Sequence, residues 1–171
     1  YNSSIIVTDK VATLTGNGTS ANPRVRQVIS GKYTQGHLFY IAVKIKPLNE
    51  TNKIAVLLGD GSVRKDIINP IPNEWHDLSA IGVSGSTSYF VVNHTYGSAG
   101  LSNGKSIELK EAMFVDLTNS FGAGNEPSIS DFERLLKRFP GGWFDGEKSL
   151  LTASSLYDIV QTQINAVEDE I

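Results

Sequence analysis

Residues 37–46 read His-Leu-Phe-Tyr-Ile-Ala-Val-Lys-Ile-Lys. Phe39, Ile41, Val43 and Ile45 alternate there with Tyr40, Ala42, Lys44 and Lys46. A period of two fits a strand buried on one side and excludes an amphipathic helix. The first set is expected on a core face and the second on the opposite face. Pro47 ends the run, because it has no amide to give to a ladder.

Shorter runs of the same kind fill the chain up to about residue 117. Ser4–Val7 and Lys10–Thr15 are β-rich and close at Gly16-Asn17-Gly18. Arg24–Ile29 is a short strand closed by Gly31. Lys53–Leu58 and Val63–Ile68 flank Gly59-Asp60-Gly61, a hairpin signal because Asp and Gly tolerate positive φ. Glu74–Ile81, with Trp75, and Ser88–Tyr96 are further strands. Lys105–Leu117 follows Asn103-Gly104 as the last of them. Many short strands with no helical period between them predict an antiparallel sandwich or barrel.

The pattern changes at Asn119. Phe121–Pro127 reads as a loop, and Ser130-x-x-Glu133 spells a capping box. A helix is expected from about Asp131 to Phe139, with Phe132, Leu135, Leu136 and Phe139 on one side, stopped by Pro140-Gly141-Gly142. Residues 149–171 contain no Gly or Pro. Their apolar positions are Leu150, Ala153, Tyr157, Val160, Ile164, Val167 and Ile171, in steps of three and four. That is a heptad seam with Val160 and Val167 at d, and β-branched d positions favour three strands over two. The expectation is a parallel homotrimer joined through this stem.

The run Phe114-Val115-Asp116-Leu117-Thr118, then Phe121-Gly122-Ala123-Gly124-Asn125-Glu126-Pro127, then a helix and Gly142-Trp143-Phe144-Asp145-Gly146, forms a signature over about 117–146. It resembles a segment of tail and minor structural proteins from bacteriophages and prophages of Gram-positive bacteria. In that group Thr often follows the Glu-Pro pair; here Ser128 stands there. The resemblance implies a jelly-roll sandwich similar to carbohydrate-binding modules over 1–118 and a virion tail component that acts at the host cell surface. The residues themselves add a lid of loop, short helix and Gly-Gly-Trp-Phe-Asp-Gly over 119–148 and the coiled-coil stem over 149–171, and cell-wall glycan and other tail proteins are the expected partners. Read physically, the signature itself is structural, a built-in cover for an open end of the sandwich.

The chemistry that the sequence excludes is broad. There is no Cys, which removes disulfides and thiolate sites. Net charge is −3, its sign set by Glu168-Asp169-Glu170, and no basic stripe suggests nucleic acid. No apolar run approaches the roughly 18 residues that cross a bilayer, and no signal peptide opens the chain. A start at Tyr1 without Met is what a piece of a longer protein would show. Nucleophile-elbow, zincin, P-loop and dinucleotide motifs are missing. His37, His76 and His94 have no ligand spacing, and Gly59-Asp60-Gly61-Ser62 lacks the alternating carboxylates of a calcium loop. Asp60, Asp66, Glu108 and Glu111 could pair as catalytic carboxylates only if the fold gathered them. Four N-x-[ST] sequons, at Asn2, Asn17, Asn49 and Asn93, are ordinary in a chain so rich in Asn, Ser and Thr. No enzymatic activity, cofactor or metal is expected.

A binding face can be drawn from strand phase alone. With Phe39, Phe90, Ile107 and Leu109 inward, Tyr40, Lys44, Tyr89, Asn93, Glu108 and Lys110 point outward. Tyrosines can stack on sugar rings while the polar groups hydrogen-bond hydroxyls. Tyr40 and Tyr89 are expected on the outer face of one sheet. Three functions follow: a phage attachment or tail-fibre assembly component, a purely architectural trimerising virion module, and a carbohydrate-binding module of a secreted bacterial glycoside hydrolase.

Overall fold

The computed structural model describes residues 3–18, 24–29, 33–86, 89–95 and 103–139. The chain divides into two compact units, Tyr1–Asp116 and Leu117–Ile171. The stem positions Leu150, Ala153, Tyr157, Val160, Ile164, Val167 and Ile171, and the aromatic pair Trp143-Phe144, lie outside the described residues.

Among its described residues the first unit has nine strands: β1 (Ser3–Thr8), β2 (Val11–Gly16), β3 (Arg24–Val28), β4 (Leu38–Pro47), β5 (Lys53–Leu58), β6 (Arg64–Ile68), β7 (His76–Val83), β8 (Tyr89–Thr95) and β9 (Ser106–Asp116). They form two antiparallel sheets. One has five strands in the order β1-β2-β9-β4-β7, the other four in the order β3-β8-β5-β6. Of the two expected architectures this is the sandwich. Trp75 does not open a strand; it sits just before β7.

The alternation in β4 does what its period requires. Phe39, Ile41 and Ile45 are fully buried, and Val43 nearly so. They meet Ile54, Val56 and Leu58 of β5, Phe90 and Val92 of β8, and Ile107 and Leu109 of β9 in one core. Phe39 is stacked between Tyr33 and Phe114, with ring centroids 5.6 and 4.7 Å away. Each such side chain contributes roughly 1.5–3 kcal/mol by leaving water.

One irregularity sets the geometry of β9. Register against β4 shifts between Ala42 and Lys44, and Glu111 adopts φ 52°. This bulge reverses the phase of the strand. Ile107 and Leu109 point inward before it. After it the inward residue is Phe114, opposite Ile41. Glu111 is thereby turned out to meet Lys44, with Nζ–Oε2 at 2.8 Å.

Among its described residues the second unit has two helices, α1 (Leu117–Phe121) and α2 (Ile129–Leu136). The chain therefore leaves β9 one residue before the expected strand end at Leu117 and turns helical where a loop was expected. Gly122, at φ 87°, closes α1 with its amide on the Thr118 carbonyl. The capping box at Ser130 is also displaced. Ser128 is the cap, and its Oγ accepts from the Asp131 amide at 3.2 Å. Both serines have an acid three residues on, and helix α2 starts at the earlier one. Phe132 and Leu136 are its buried residues, and Phe121 meets Phe132 edge to face at 6.2 Å.

Candidate functional site: the outer faces of the two sheets

The six residues expected on one face lie on two. Tyr40, Lys44, Glu108 and Lys110 stand on the outer face of the five-stranded sheet, and Tyr89 and Asn93 on that of the four-stranded sheet. The shared surface of Tyr40 and Tyr89 does not exist. Phase within a strand decides inside against outside, but only pairing between distant strands decides which sheet. Tyr40 is also only 3% exposed, in register with Val115 and Ile81, so it offers no ring face to a ligand.

The five-stranded face is electrostatically closed. Lys44 pairs with Glu111, Lys46 with Glu108, and Lys110 lies 3.9 Å from Glu111. Trp75, partly exposed, has the Lys46 and Lys110 ammonium groups over its ring at 5.1 and 4.4 Å. Bonding to Glu111 raises the Lys44 pKa above its ordinary value, against a smaller lowering by burial; the charges of Glu111 and Asp77 add to the rise.

The four-stranded face is a groove. Register places Arg24, Asn93, Ala55 and Asp66 on one rung across the sheet, and Arg26, Val91, Leu57 and Arg64 on the next. The floor is small and apolar. Ala55, Leu57 and Val91 cluster apart from the main core, with Tyr89 packed on them, and none is more than 7% exposed. Side chains on the flanking strands form the walls. On β6 the Arg64 guanidinium grips Asp66 through two hydrogen bonds of 2.7 and 3.1 Å. On β3 the Arg26 guanidinium lies over the Tyr89 ring at 4.6 Å. In the middle, Asn93 Oδ1 is buried with no hydrogen-bond partner among the described residues. A buried acceptor left unpaired costs about 1–3 kcal/mol, so it marks a place where a donor belongs.

At one end the groove opens into a cleft of about 400 Å³ lined by Arg24, Arg26, Gly59, Asp60, Ser86, Tyr89 and Val91. Asp60 is committed to structure here. Its carboxylate accepts from the amides of Ser62 at 3.0 Å and Ser86 at 2.6 Å, tying the β5–β6 turn to the segment after β7. Gly85 is needed for this approach, since a Cβ there would stand 2.1 Å from the Asp60 carboxylate oxygen. Tyr33 Oη donates to the Gly85 carbonyl and holds the same segment from the core side.

Sequence reasoning placed Tyr89 and Asn93 correctly outward but missed Arg24 and Arg26. The signal was present, since Arg-Val-Arg has the period of a strand with both arginines on one side. The carboxylates Asp60 and Asp66 are on this face and Glu108 and Glu111 on the other, so they do not form one site. No three of the described His, Asp or Glu residues gather to hold a metal. No described helix is long and apolar enough to cross a membrane.

No family model matches the sequence. No curated protein matches it. Solved structures that it resembles include carbohydrate-binding modules. A CBM4 module is 12% identical with a TM-score of 0.44, over 66% of this chain and 76% of that one. A variant of the family 29 module CBM29-2 complexed with mannohexaose is 11% identical with a TM-score of 0.45, over 67% and 75%. The CBM1 module of BiXyn10A, without ligand, is 10% identical with a TM-score of 0.44, over 66% and 77%. Each is described as a binding module and none as a catalytic domain. At these scores the likeness is one of general architecture, and no residue is carried across.

Proposed function

We propose that the sandwich is a non-catalytic module that binds a glycan in the groove on its four-stranded sheet. The observation that carries this is the buried Asn93 Oδ1, without a hydrogen-bond partner among the described residues, on the same outer face as a cleft lined by the Tyr89 ring and the Arg24 and Arg26 side chains. A sugar hydroxyl is the donor that Oδ1 lacks, and the Tyr89–Arg26 stack supplies flat surface and further donors. A glycan array probed with the full chain tests the reading. At least one glycan should retain it, Asn93→Ala should weaken that retention, and Lys44→Ala should not. Retention untouched by Asn93→Ala would remove the groove as the site.

The setting is a second matter. The signature from Phe114 to Pro127, and the heptad of 149–171, support a phage tail component that attaches to host cell-wall glycan as a homotrimer. A module of a secreted glycoside hydrolase fits the groove equally well, and the neighbouring domain of the parent protein separates the two. Trimerisation has its own test. Sedimentation of the full chain should give three times the chain mass, and a monomer at micromolar concentration would end that part of the reading.

A further inference from the structure

A sheet edge presents amides and carbonyls to any strand that comes alongside, and folded chains blunt it with charge, proline or a bulge. Among the described strands, three of the four edges are blunted. β3 carries Arg24 and Arg26, and β6 carries Arg64, Lys65 and Asp66. β7 carries Asp77 and lies against β6. β1 is the exception, and no described strand pairs with its far side. It reads Ser-Ser-Ile-Ile-Val-Thr, with no charge and no proline, and its register against β2 runs unbroken from Ser3 to Thr8. Alternation sends Ile6 and Val7 to opposite faces of the sheet. Both are nevertheless 67% exposed, so the sandwich covers neither. The exposed aliphatic residues of the other edges, Val28, Ile68 and Val83, each stand last in a strand.

We infer that β1 is a pairing edge whose partner is β1 of a second copy of this chain, antiparallel about a two-fold axis. The hairpin turn decides which backbone groups face outward. Asp9 and Lys10, at φ 50° and 66°, make a two-residue primed turn between Thr8 and Val11. The residues flanking such a turn form a hydrogen-bonded pair, and bonded pairs alternate from there along the strands. Thr8, Ile6 and Ser4 therefore bond to β2, while Ile5 and Val7 turn their amides and carbonyls to the edge. A two-fold axis perpendicular to the sheet keeps every residue on its own face, so even positions oppose even ones and odd oppose odd. Centred on Ile6, it sets Ile5 against Val7, Ser4 against Thr8, and Ile6 against itself. That register uses all of Ser4–Thr8 and stops where the turn begins. A neutral strand meets its own copy without charge repulsion, and the exposed Ile6 and Val7 side chains leave water. The same axis leaves both four-stranded sheets on one side of the joined sheet, so the two grooves face the same way, whatever they bind.

The test uses cysteine, which the chain lacks. Ile6→Cys and Val7→Cys are made separately in the full chain and oxidised mildly. Residues directly opposed in a non-hydrogen-bonded antiparallel pair have Cα atoms about 4.5 Å apart, within reach of a disulfide. Ile6 meets its own copy in this way. The two Val7 positions are offset by two residues along the strands, which puts their Cα atoms more than about 7 Å apart and out of reach. Ile6→Cys should therefore give a covalent pair on a denaturing gel at least about tenfold faster than Val7→Cys, although the two sites are equally exposed. The covalent pair is read in the same way whatever residues 149–171 contribute to the native mass. Sedimentation of the wild type should gain a heavier species as concentration rises. Ile6→Lys puts a charge on the edge and should abolish that species while melting with the wild type, since Ile6 is exposed. Equal rates of cross-linking at the two sites would assign it to chance collision and overturn the pairing. Faster cross-linking at Val7 would overturn the register. A sedimentation profile independent of concentration, with no cross-link at either site, would show that some other strand or none belongs on β1 and would overturn the inference whole.

Discussion

The two outer faces of the sandwich are made by the same rule and end differently. Each alternates polar outward residues with core residues, and each carries an aromatic residue in cation–π contact. On the five-stranded sheet the lysines sit beside glutamates, and the aromatic Trp75 is covered by two of those lysines. Its polar groups are answered from within. On the four-stranded sheet, among the described residues, the cations outnumber the acids and the buried Asn93 Oδ1 has no hydrogen-bond partner. The lesson is that outward polar residues do not by themselves make a binding face. What matters is whether the neighbouring strand brings in their partners.

The sharpest way to break this contrast is to exchange the two tyrosines for alanine. Tyr40→Ala should behave as a core truncation despite its outward phase, costing about 3 kcal/mol in chemical denaturation and leaving glycan retention per folded molecule unchanged. Tyr89→Ala should do the reverse, with about 1 kcal/mol or more lost from binding and little from stability. If Tyr40→Ala melts like the wild type, the closed description of the five-stranded face is wrong.

The smallest effect concerns the Lys44–Glu111 pair. The Lys44 pKa is raised above its ordinary 10.5 in the folded state. Its contribution to stability is therefore complete below that value and is lost as pH rises through the higher folded value. Because the pair is partly exposed, the change should be about 0.5 kcal/mol or less. Denaturation midpoints compared between neutral pH and pH above the lysine range should show it in the wild type and not in Glu111→Gln. An equal alkaline loss in that variant would assign it to other groups.

Much of the fold was legible because it is local. The phase of 38–47, the Asp-Gly turn between β5 and β6, and the existence of a helix near 130 each rest on neighbours within a few residues. What was not legible depends on distant strands. Tyr40 and Tyr89 have the right phase, but β4 pairs with β7 and β9 while β8 pairs with β3 and β5, and nothing near either residue announces that. Arg24 and Arg26 became site residues only when β3 was laid beside β8. The helix start was ambiguous for a local reason, since Ser128 and Ser130 spell the same motif two residues apart.

The bulge at Glu111 has the logic of a reading frame. It adds one residue, and everything downstream in β9 is decoded with the opposite sense. Phe114 reaches the Phe39 ring, and Asp116 meets His37 Nδ1 at 2.9 Å, only in the shifted frame. Deleting Ala112 would take out the extra residue and leave Glu111 alone opposite Val43. Phe114 would keep its place opposite Ile41, but the Glu111 carboxylate would be turned from Lys44 toward the core side of the strand. Substitutions along β9 should thus be judged by which side of residue 111 they fall on, and single-residue indels there should be far less tolerated than the chemistry of any one side chain suggests.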